Sequence, residues 1–214
     1  MVRVKICGIK SIDEAWMAVN AGADAFGLIV GATHKTEDVL RPEAAHHILK
    51  EAPPYISSVL VTHLTTAKEI LAIYKKVPAC DIQLQDNISL DEIKKLRRNL
   101  KHVKFIKAIH VMKNGAVEAG KYFAPHVDAL LLDSKTRYRI GGTGKVHDWN
   151  ISRDIVASID KPVILAGGLT PENVVEAIIK VGPFGVDVNT GVKSPDGSKN
   201  SQLVKDFVTR ARFD

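Results

Sequence analysis

The alternation of short apolar runs with amphipathic segments is the feature that most constrains the fold of this chain. Eight apolar runs are each followed by a stretch of helical periodicity, at intervals of roughly 25 residues. The predicted strands cover residues 2–7, 24–30, 56–61, 81–84, 103–111, 129–132, 162–165 and 185–188. The predicted helices cover 11–22, 42–51, 65–76, 89–100, 115–123, 151–159, 170–181 and 201–212. Eight such units predict an α/β fold, a (β/α)8 TIM barrel in a single domain spanning residues 1–214.

A doubly wound open sheet is the alternative architecture for alternating strands and helices. Polar residues, glycines and a cysteine stand at the carboxyl ends of predicted strands one, two, six, seven and eight. These ends meet at one mouth in a closed barrel, whereas an open sheet would leave some of them far apart. The barrel is therefore preferred. A chain of 214 residues with 45% hydrophobic content can bury one large core, and no linker divides it.

Capping residues mark where several helices begin. Ser11 with Glu14 three residues later forms a predicted capping box, and Pro42 takes the first position of the second helix. Thr170, followed by Pro171, is the predicted cap of the seventh helix. The loop at 31–41 is long and polar, and because such loops in compact domains tend to be functional, we include it in the predicted site region.

Charge and cysteine content narrow the choice of partners and compartment. A formal net charge of +6 and a pI near 9.2 favour anionic small molecules, and the lysines are spread along helices rather than massed, so nucleic acid is not the predicted partner. Two cysteines, Cys7 and Cys80, cannot build a disulfide framework, and neither a signal peptide nor a membrane span is present. We expect a reduced, cytoplasmic protein without membrane contact, with Cys80 buried.

The segment 129–149 carries the strongest chemical signal. An apolar strand ends there on Asp133, where the chain is expected to leave the core. A basic loop follows, and then a glycine run whose backbone N–H groups can approach an anion closely. The basic and glycine residues are Lys135, Arg137, Arg139, Gly141, Gly142 and Gly144. This pattern indicates phosphate binding, although a flexible glycine loop without a ligand would have the same appearance.

Four ordered motifs, taken together, resemble a known family. They are VKICGIK at 4–10, LLLDSK followed by GGTGKVHDW within 130–149, ILAGGLTPENV at 164–174, and GVDVNTGV at 185–192. Over essentially its whole length the chain is similar to the phosphoribosylanthranilate isomerases of tryptophan biosynthesis. The resemblance implies a TIM barrel that isomerises a small phosphosugar without cofactor or metal, as a monomer or homodimer.

The reaction that the resemblance implies is an Amadori rearrangement, which needs an acid and a base. The acid protonates the furanose ring oxygen, and the base removes the proton on C2 to give an enolamine that relaxes to the ketone. The resemblance assigns Cys7 as the base and Asp133 as the acid. Because Lys5 and Lys10 are close in sequence, we expect the pKa of Cys7 to lie below that of a free thiol. For Asp133 to carry a proton near neutral pH, burial has to raise its pKa.

The resemblance also indicates which loops hold the substrate. Barrels often bind phosphate near strands seven and eight, through backbone N–H groups. The predicted phosphate-binding residues are Gly142, Gly144, Gly167, Gly168, Asn189, Thr190 and Gly191. Asp187 resembles the family's acidic substrate contact. The alternatives are a tight turn at the glycine pair and a purely structural carboxylate at Asp187.

Three positions depart from the family pattern. Asp38 stands where the family has an arginine that holds the anthranilate carboxylate, Gln85 stands for a histidine, and Lys193 stands for a glutamate. Three interpretations remain open for Asp38: another cation takes over, Asp38 faces solvent, or the substrate carries a different amine. Candidate cations are Lys35, Arg41, Arg137 and Arg139, of which Arg137 or Arg139 is preferred because arginine can grip a carboxylate with two parallel hydrogen bonds. A barrel that binds phosphosugars without catalysis is a further alternative.

Overall fold

The computed structural model of the chain describes residues 1–33, 37–111, 115–136, 139–140 and 147–213, without the side chains of 135–136, 139–140 and 213. Three of the predicted site residues, Arg137, Gly142 and Gly144, lie outside the described residues, and only the backbone of Arg139 is described. Within the described parts of the chain, no helix is long and apolar enough to cross a membrane.

Eight parallel strands form a closed barrel, which confirms the predicted fold class. They are β1 (Arg3–Ile6), β2 (Ala25–Val30), β3 (Ser57–Thr62), β4 (Asp81–Leu84), β5 (Lys104–Val111), β6 (Ala129–Thr136), β7 (Val163–Leu165) and β8 (Gly185–Val188). Each strand pairs with the next in the chain, and β1 also pairs with β8, with Lys5 opposite Asp187. Two short strands stand outside this ring: Val39–Leu40 pairs with β2, and Arg139–Ile140 pairs antiparallel with the end of β6.

Helices surround the barrel and connect its strands. They are α1 (Ile12–Asn20), α2 (Pro42–Glu51), α3 (Ala67–Tyr74), α4 (Leu90–Asn99), α5 (Ala116–Phe123), α6 (Trp149–Ser158), α7 (Val174–Val181) and α8 (Ser201–Phe213). Single 3-10 turns at Ala124–His126 and Thr190–Val192 follow α5 and β8.

The predicted capping residues of α1 and α2 act as expected. Ser11 Oγ accepts a hydrogen bond from the Glu14 N–H at 3.1 Å, and Pro42 occupies the first turn of α2. Glu14, however, does not only complete a capping box. Its buried carboxylate accepts the backbone N–H of Lys10 at 2.6 Å and that of Lys199 at 3.0 Å. One side chain therefore ties the loop after β1 to the segment before α8.

Three local predictions are wrong. Strand β6 runs on to Thr136 and pairs with β5 through Ser134, so Asp133 lies within the strand rather than after it. Helix α7 begins at Val174, because Thr170 to Asn173 form a turn in which Asn173 Oδ1 accepts the Thr170 N–H. Cys80 is exposed, because it precedes β4 at the end of the barrel where the strands begin.

The apolar core has two layers. The larger one fills the space between the strands and the helices, and its fully buried members include Phe26, Phe105 and Phe207. The smaller layer fills the barrel interior and consists of Cys7, Ile29, Val59, Val61, Ile106, Ala108, Ala129, Leu131 and Ala166. Burial of each large aliphatic side chain stabilises the fold by about 1.5–3 kcal/mol. Cys7 is thus an interior residue of the barrel.

Carboxylates bind the strands together at the amino end of the barrel. Asp24 accepts the Val4 N–H and Asp128 accepts the Phe105 N–H, both at 2.8 Å, and Arg212 and Arg97 neutralise these two acids. A cavity of about 650 Å³ opens at this end. Because barrel enzymes carry their chemistry at the carboxyl ends of the strands, this cavity is on the structural side of the molecule.

Candidate active site

Cys7, the predicted base, directly follows the carboxyl end of β1, and Asp133, the predicted acid, lies in the second half of β6; both face the barrel interior. Cys7 is 6% exposed and directly follows β1, and Asp133 is 8% exposed in β6. Alternation along β6 places Asp133 on the same face as Ala129 and Leu131, which pack with Cys7 in the inner layer. The barrel mouth therefore brings together two proton-transferring groups from strands far apart in sequence.

A chain of buried hydrogen bonds connects the two sides of this mouth. Lys5 Nζ donates to Asp187 Oδ2 at 2.7 Å and to Gln83 Oε1 at 3.1 Å. Gln83 Nε2 donates to Gln85 Oε1 at 2.7 Å, and Gln85 Nε2 donates to Asp133 Oδ2 at 2.9 Å. Gln85, which replaces the family histidine, thus holds the acid in place. Because each amide both donates and accepts, the chain fixes the orientation of every member.

Burial sets the protonation of the side chains in this hydrogen-bonded network. Desolvation, followed by the charge of Asp187, raises the pKa of Asp133 to about 6, as the sequence analysis required of the acid. The pKa of Lys5 is raised because the attraction of Asp187 and Cys7 outweighs its own desolvation. Lys5 therefore remains an ammonium ion inside the barrel.

The prediction of a lowered pKa for Cys7 is wrong. Desolvation by burial raises its pKa, and the charge of Lys5 offsets this only in part. The reason is that Cys7 lies inside the apolar layer rather than at an exposed strand tip. In the free protein Cys7 is therefore a neutral thiol with a cation beside it.

Gly27, which no motif in the sequence singled out, makes room for these groups. A Cβ at this position would lie 2.9 Å from Cys7 Sγ and 3.0 Å from Lys5 Cε. Both side chains therefore pass over the backbone of β2. The position of Lys5 two residues before Cys7 is the sequence signal for this arrangement, since alternate residues of a strand face the same side.

Asn189 joins Cys7 to a polar network at the mouth. Gly8, with φ +72, packs flat against the Asn189 amide, where a Cβ would lie 2.7 Å from Oδ1. Lys199 Nζ donates to Asn189 Oδ1 at 2.7 Å and to its backbone oxygen at 3.0 Å. Desolvation lowers the pKa of Lys199 to about 8, although the charges of Cys7 and Asp38 oppose the shift. Asn189 was predicted as a phosphate contact, and here its side chain is engaged within the protein.

Asp38, the most conspicuous departure from the family pattern, is paired with another departure. Its carboxylate is buried, and Lys193 Nζ lies 2.7 Å from both of its oxygens. Asn189 Nδ2 donates to it at 2.9 Å, and Lys10 Nζ lies at 3.8 Å. The interpretation that Asp38 faces solvent is therefore wrong. The acid and the lysine form one buried ion pair between the loops after β2 and β8.

The loops after β7 and β8 pack closely through glycines that were predicted to bind phosphate. Gly167 and Gly168 have φ +79 and +73, and a Cβ on Gly167 would overlap the backbone of Ser134. Gly191 lies so near the backbone of Leu169 that it too has no room for a side chain. Together with the 3-10 turn Thr190–Val192, these residues form one closely packed backbone surface.

His147 bridges Ser152 and Ser134, which packs against Gly167; this role was not predicted from the sequence. Its Nδ1 lies 3.0 Å from Ser134 Oγ and its Nε2 lies 2.6 Å from Ser152 Oγ. Burial lowers its pKa to about 4, so the ring is neutral at physiological pH. The next residue, Asp148, caps α6. His147 therefore connects β6, at the acid, to the helix that follows.

His110 is a second histidine near the acid. It stands opposite Asp133 in the pairing of β5 with β6, on the same face as Ile106 and Ala108. Both ring nitrogens are buried. No motif in the sequence had indicated this histidine.

We expect Gly167→Ala to destabilise the fold by about 2–4 kcal/mol, because the new methyl group must push aside the backbone of Ser134 in addition to adopting positive φ. Gly182→Ala is the matched control: Gly182 has φ +63 but nothing lies within 4 Å of the position that its methyl group would take, so it should cost only about 1 kcal/mol. Urea denaturation measures both. Equal losses would show that the approach of Gly167 to Ser134 is not tight.

The raised pKa of Asp133 predicts a pH-dependent stability. An unfolded aspartate titrates near 3.9, so between that value and about 6 the folded state binds more protons than the unfolded state. The free energy of unfolding should therefore fall as pH rises through this window and be constant above it. Relative to Asp133→Asn, the wild type should lose roughly 2 kcal/mol between pH 4 and pH 7. A difference that does not change with pH would contradict this.

Comparison with known proteins agrees with this geometry. A family model described as N-(5'-phosphoribosyl)anthranilate (PRA) isomerase matches residues 4–210. An N-(5'-phosphoribosyl)anthranilate isomerase 2 from Methanosarcina mazei is 46% identical and aligns with 100% of this chain and 95% of its own. The crystal structure of phosphoribosyl anthranilate isomerase from Thermotoga maritima is 34% identical, with 99% of each chain covered and a TM-score of 0.88.

A second solved structure of this kind contains a ligand. It is a phosphoribosyl anthranilate isomerase in complex with reduced 1-(o-carboxyphenylamino)-1-deoxyribulose 5-phosphate, 31% identical, with 99% of each chain covered and a TM-score of 0.85. The family model, the relative and both solved structures match this chain over nearly its full length. This chain belongs to the N-(5'-phosphoribosyl)anthranilate isomerase family.

Proposed function

We infer that this chain catalyses the Amadori rearrangement of N-(5'-phosphoribosyl)anthranilate in tryptophan biosynthesis, an aldose-to-ketose isomerisation. The observation that carries the inference is the buried hydrogen-bond network that runs from Asp133 through Gln85 and Gln83 to Lys5, which lies beside Cys7. An acid with a pKa near neutrality and a thiol next to a cation stand at one mouth. These are the two groups that the rearrangement needs.

Asp133 acts as the general acid and Cys7 as the general base. The neutral Asp133 carboxyl gives its proton to the furanose ring oxygen, the ring opens, and the Cys7 thiolate takes the proton from C2. The active arrangement, a thiolate with a neutral carboxyl, contains the same number of protons as a thiol with a carboxylate. It can therefore form without net gain or loss of a proton, and the ammonium group of Lys5 stabilises the thiolate.

The substrate's phosphate is proposed to bind at the loops after β6, β7 and β8. Backbone N–H groups for the phosphate are offered by the close-packed glycines Gly167, Gly168 and Gly191, together with Thr190. Gly142 and Gly144 are proposed to contribute further N–H groups. Asp187 is proposed to bind a sugar hydroxyl. Its Oδ1 is buried and accepts no hydrogen bond from any residue within the described parts of the chain. A substrate hydroxyl would satisfy that oxygen.

The pairing of Asp38 with Lys193 removes the reason for assigning a different amine to the substrate, since the acid's charge is compensated inside the protein. We further expect a cytoplasmic enzyme that acts as a monomer or homodimer. A dimeric form is known for the Thermotoga maritima isomerase.

The test of this function is complementation of a tryptophan auxotroph that lacks the isomerase, together with a direct assay of the purified protein on freshly made substrate. Growth without tryptophan and turnover in vitro are expected. Thermal stabilisation by millimolar phosphosugar separates binding from catalysis, because a ligand of the native state raises the melting temperature. A protein that binds the phosphosugar but neither complements nor turns over would be a binding barrel and not an isomerase.

A further inference from the structure

Lys107, in β5, is a lysine buried between the barrel and its helices. Its neighbours Ile106 and Ala108 belong to the inner layer, so the alternation of the strand turns Lys107 outward. The residue is only 2% exposed, and its ammonium group lies 5.3 Å from the ring centre of Phe123 in α5. Burial lowers its pKa to about 8. A cation in this place therefore carries a desolvation cost that an apolar side chain would avoid.

The ammonium group of Lys107 binds backbone oxygens at the turn after β4. Its Nζ donates to the Asp86 backbone oxygen at 3.0 Å and lies 3.5 Å from that of Leu84, the residue opposite it in the sheet. The backbone oxygen of Ala108 is the third acceptor. The Asp86 carboxylate contributes attraction to the lysine from farther away. The direct partners of this cation are thus carbonyl groups of the backbone.

These contacts fix the backbone at Gln85. The Leu84 oxygen and the Gln85 N–H belong to one peptide group. Lys107 contacts the oxygen of this group and Thr62 accepts its N–H at 3.0 Å, so the group is held from both sides. Because a side chain is carried by its backbone, the same contacts set the place from which the Gln85 amide donates to Asp133 at 2.9 Å.

We propose that Lys107 is a positioning residue for the acid: by binding the turn after β4 it keeps the Gln85 amide on Asp133 and so keeps the carboxyl group aligned for proton transfer. This inference rests on the proposed function. Lys107 does not itself meet the substrate, because its side chain lies on the helix side of the β5 backbone. The role explains why a cation is buried here, since an apolar side chain has no N–H to donate to the turn.

The proposal has a consequence for the protonation of Asp133. Burial raises the pKa of this carboxyl group, and the hydrogen bond from Gln85 opposes the rise because it stabilises the charged form. Without Lys107 that bond weakens, and the pKa of Asp133 should rise from about 6 to about 7, as expected for the loss of one hydrogen bond. The other groups that face Asp133 stay in place: Asp187, Lys5, the Ser134 N–H and His110.

Lys107→Met is the variant that tests the proposal, because methionine fills the space without donating a hydrogen bond. It should lower kcat about 10- to 100-fold and leave KM within about threefold, the pattern of a misplaced catalytic group. Carbon-13 NMR of the aspartate carboxyl groups follows the pKa of Asp133, whose signal is identified by its absence in Asp133→Asn. Gln85→Leu should produce the same two changes. The double variant should lose no more kcat than Gln85→Leu alone, since both substitutions break one connection.

Lys104→Met is the matched control. It removes the same charge from the same strand, at a side chain that is 70% exposed, and should change neither kcat nor the pKa of Asp133. Lys107→Gln is a second variant for the case that Lys107→Met does not fold. Its amide ends one atom short of the ammonium group and so loses the Asp86 oxygen, and kcat and the pKa of Asp133 should change in the same directions as in Lys107→Met.

A lowered kcat with an unchanged pKa of Asp133 would show that Lys107 only supports the fold, and would overturn the inference. A raised pKa without loss of kcat, wild-type values of both, or losses that multiply in the double variant would overturn it as well. The NMR titration needs no turnover. An inactive wild type would therefore contradict the proposed function, while the effect of Lys107 on Asp133 would still be measured.

Discussion

Cys7→Ser and Asp133→Asn are each expected to lower kcat by about 10²- to 10⁴-fold, the usual contribution of a general acid or base. Serine keeps the size of the side chain but is far less acidic than a thiol, and asparagine keeps the hydrogen bond geometry at Gln85 but has no carboxyl proton to give. Binding of the reduced product analogue should be retained in both variants. Steady-state kinetics and inhibition constants measure the two effects separately.

The matched control for Cys7→Ser is Cys80→Ser, which changes the exposed cysteine at the opposite end of the barrel and should leave kcat unchanged. Near-normal turnover in Cys7→Ser or in Asp133→Asn would refute the corresponding role. Loss of inhibitor binding together with turnover would show instead that the substitution had disturbed the site as a whole.

Lys5→Met is expected to destabilise the protein by about 3–5 kcal/mol, the usual cost of leaving one partner of a buried ion pair uncompensated. Lys5 and Asp187 are only 5% and 7% exposed in their side chains, and the ammonium group also bonds to Gln83. Urea denaturation measures the loss. The same variant should lower kcat, because the Cys7 thiolate loses its neighbouring cation.

A double variant separates the ion pair from other effects. Replacing Asp187 by leucine in the Lys5→Met background removes both charges and should recover part of the lost stability, because the unpaired carboxylate is gone. A double variant no more stable than Lys5→Met would mean that Gln83 and the surrounding packing, rather than the charge of Asp187, hold Lys5.

Much of the architecture could be predicted because its signals are local. Strand and helix positions follow from apolar periodicity, and caps such as Ser11 and Pro42 mark helix starts within one turn of the chain. The errors occurred where tertiary contacts override these signals. Strand β6 continues past Asp133 because β5 offers it a partner, and α7 begins only after a turn at 171–173 in which the Asn173 side chain accepts the Thr170 N–H.

The candidate site was predicted less completely, because its chemistry depends on contacts between distant residues. Cys7 and Asp133 stand in recognisable motifs, but the pKa of Cys7 depends on an apolar layer contributed by other strands. Asp38 and Lys193 are separated by 155 positions, so nothing in the sequence indicated that two departures from the family pattern compensate each other. The pairing of charges across loops was the information missing from the sequence.

The pairing of β1 with β8 has a consequence for the order of events during synthesis. Lys5 and Cys7 are synthesised well before Asp187, which follows Lys5 by 182 positions and provides its buried counter-charge. Until β8 docks, β1 lacks one neighbour, and the cation beside the thiol has no buried counter-charge. A nascent or truncated chain can therefore contain Cys7 and Asp133 and still be inactive. Activity in this protein therefore requires that β8 has docked against β1 and closed the barrel.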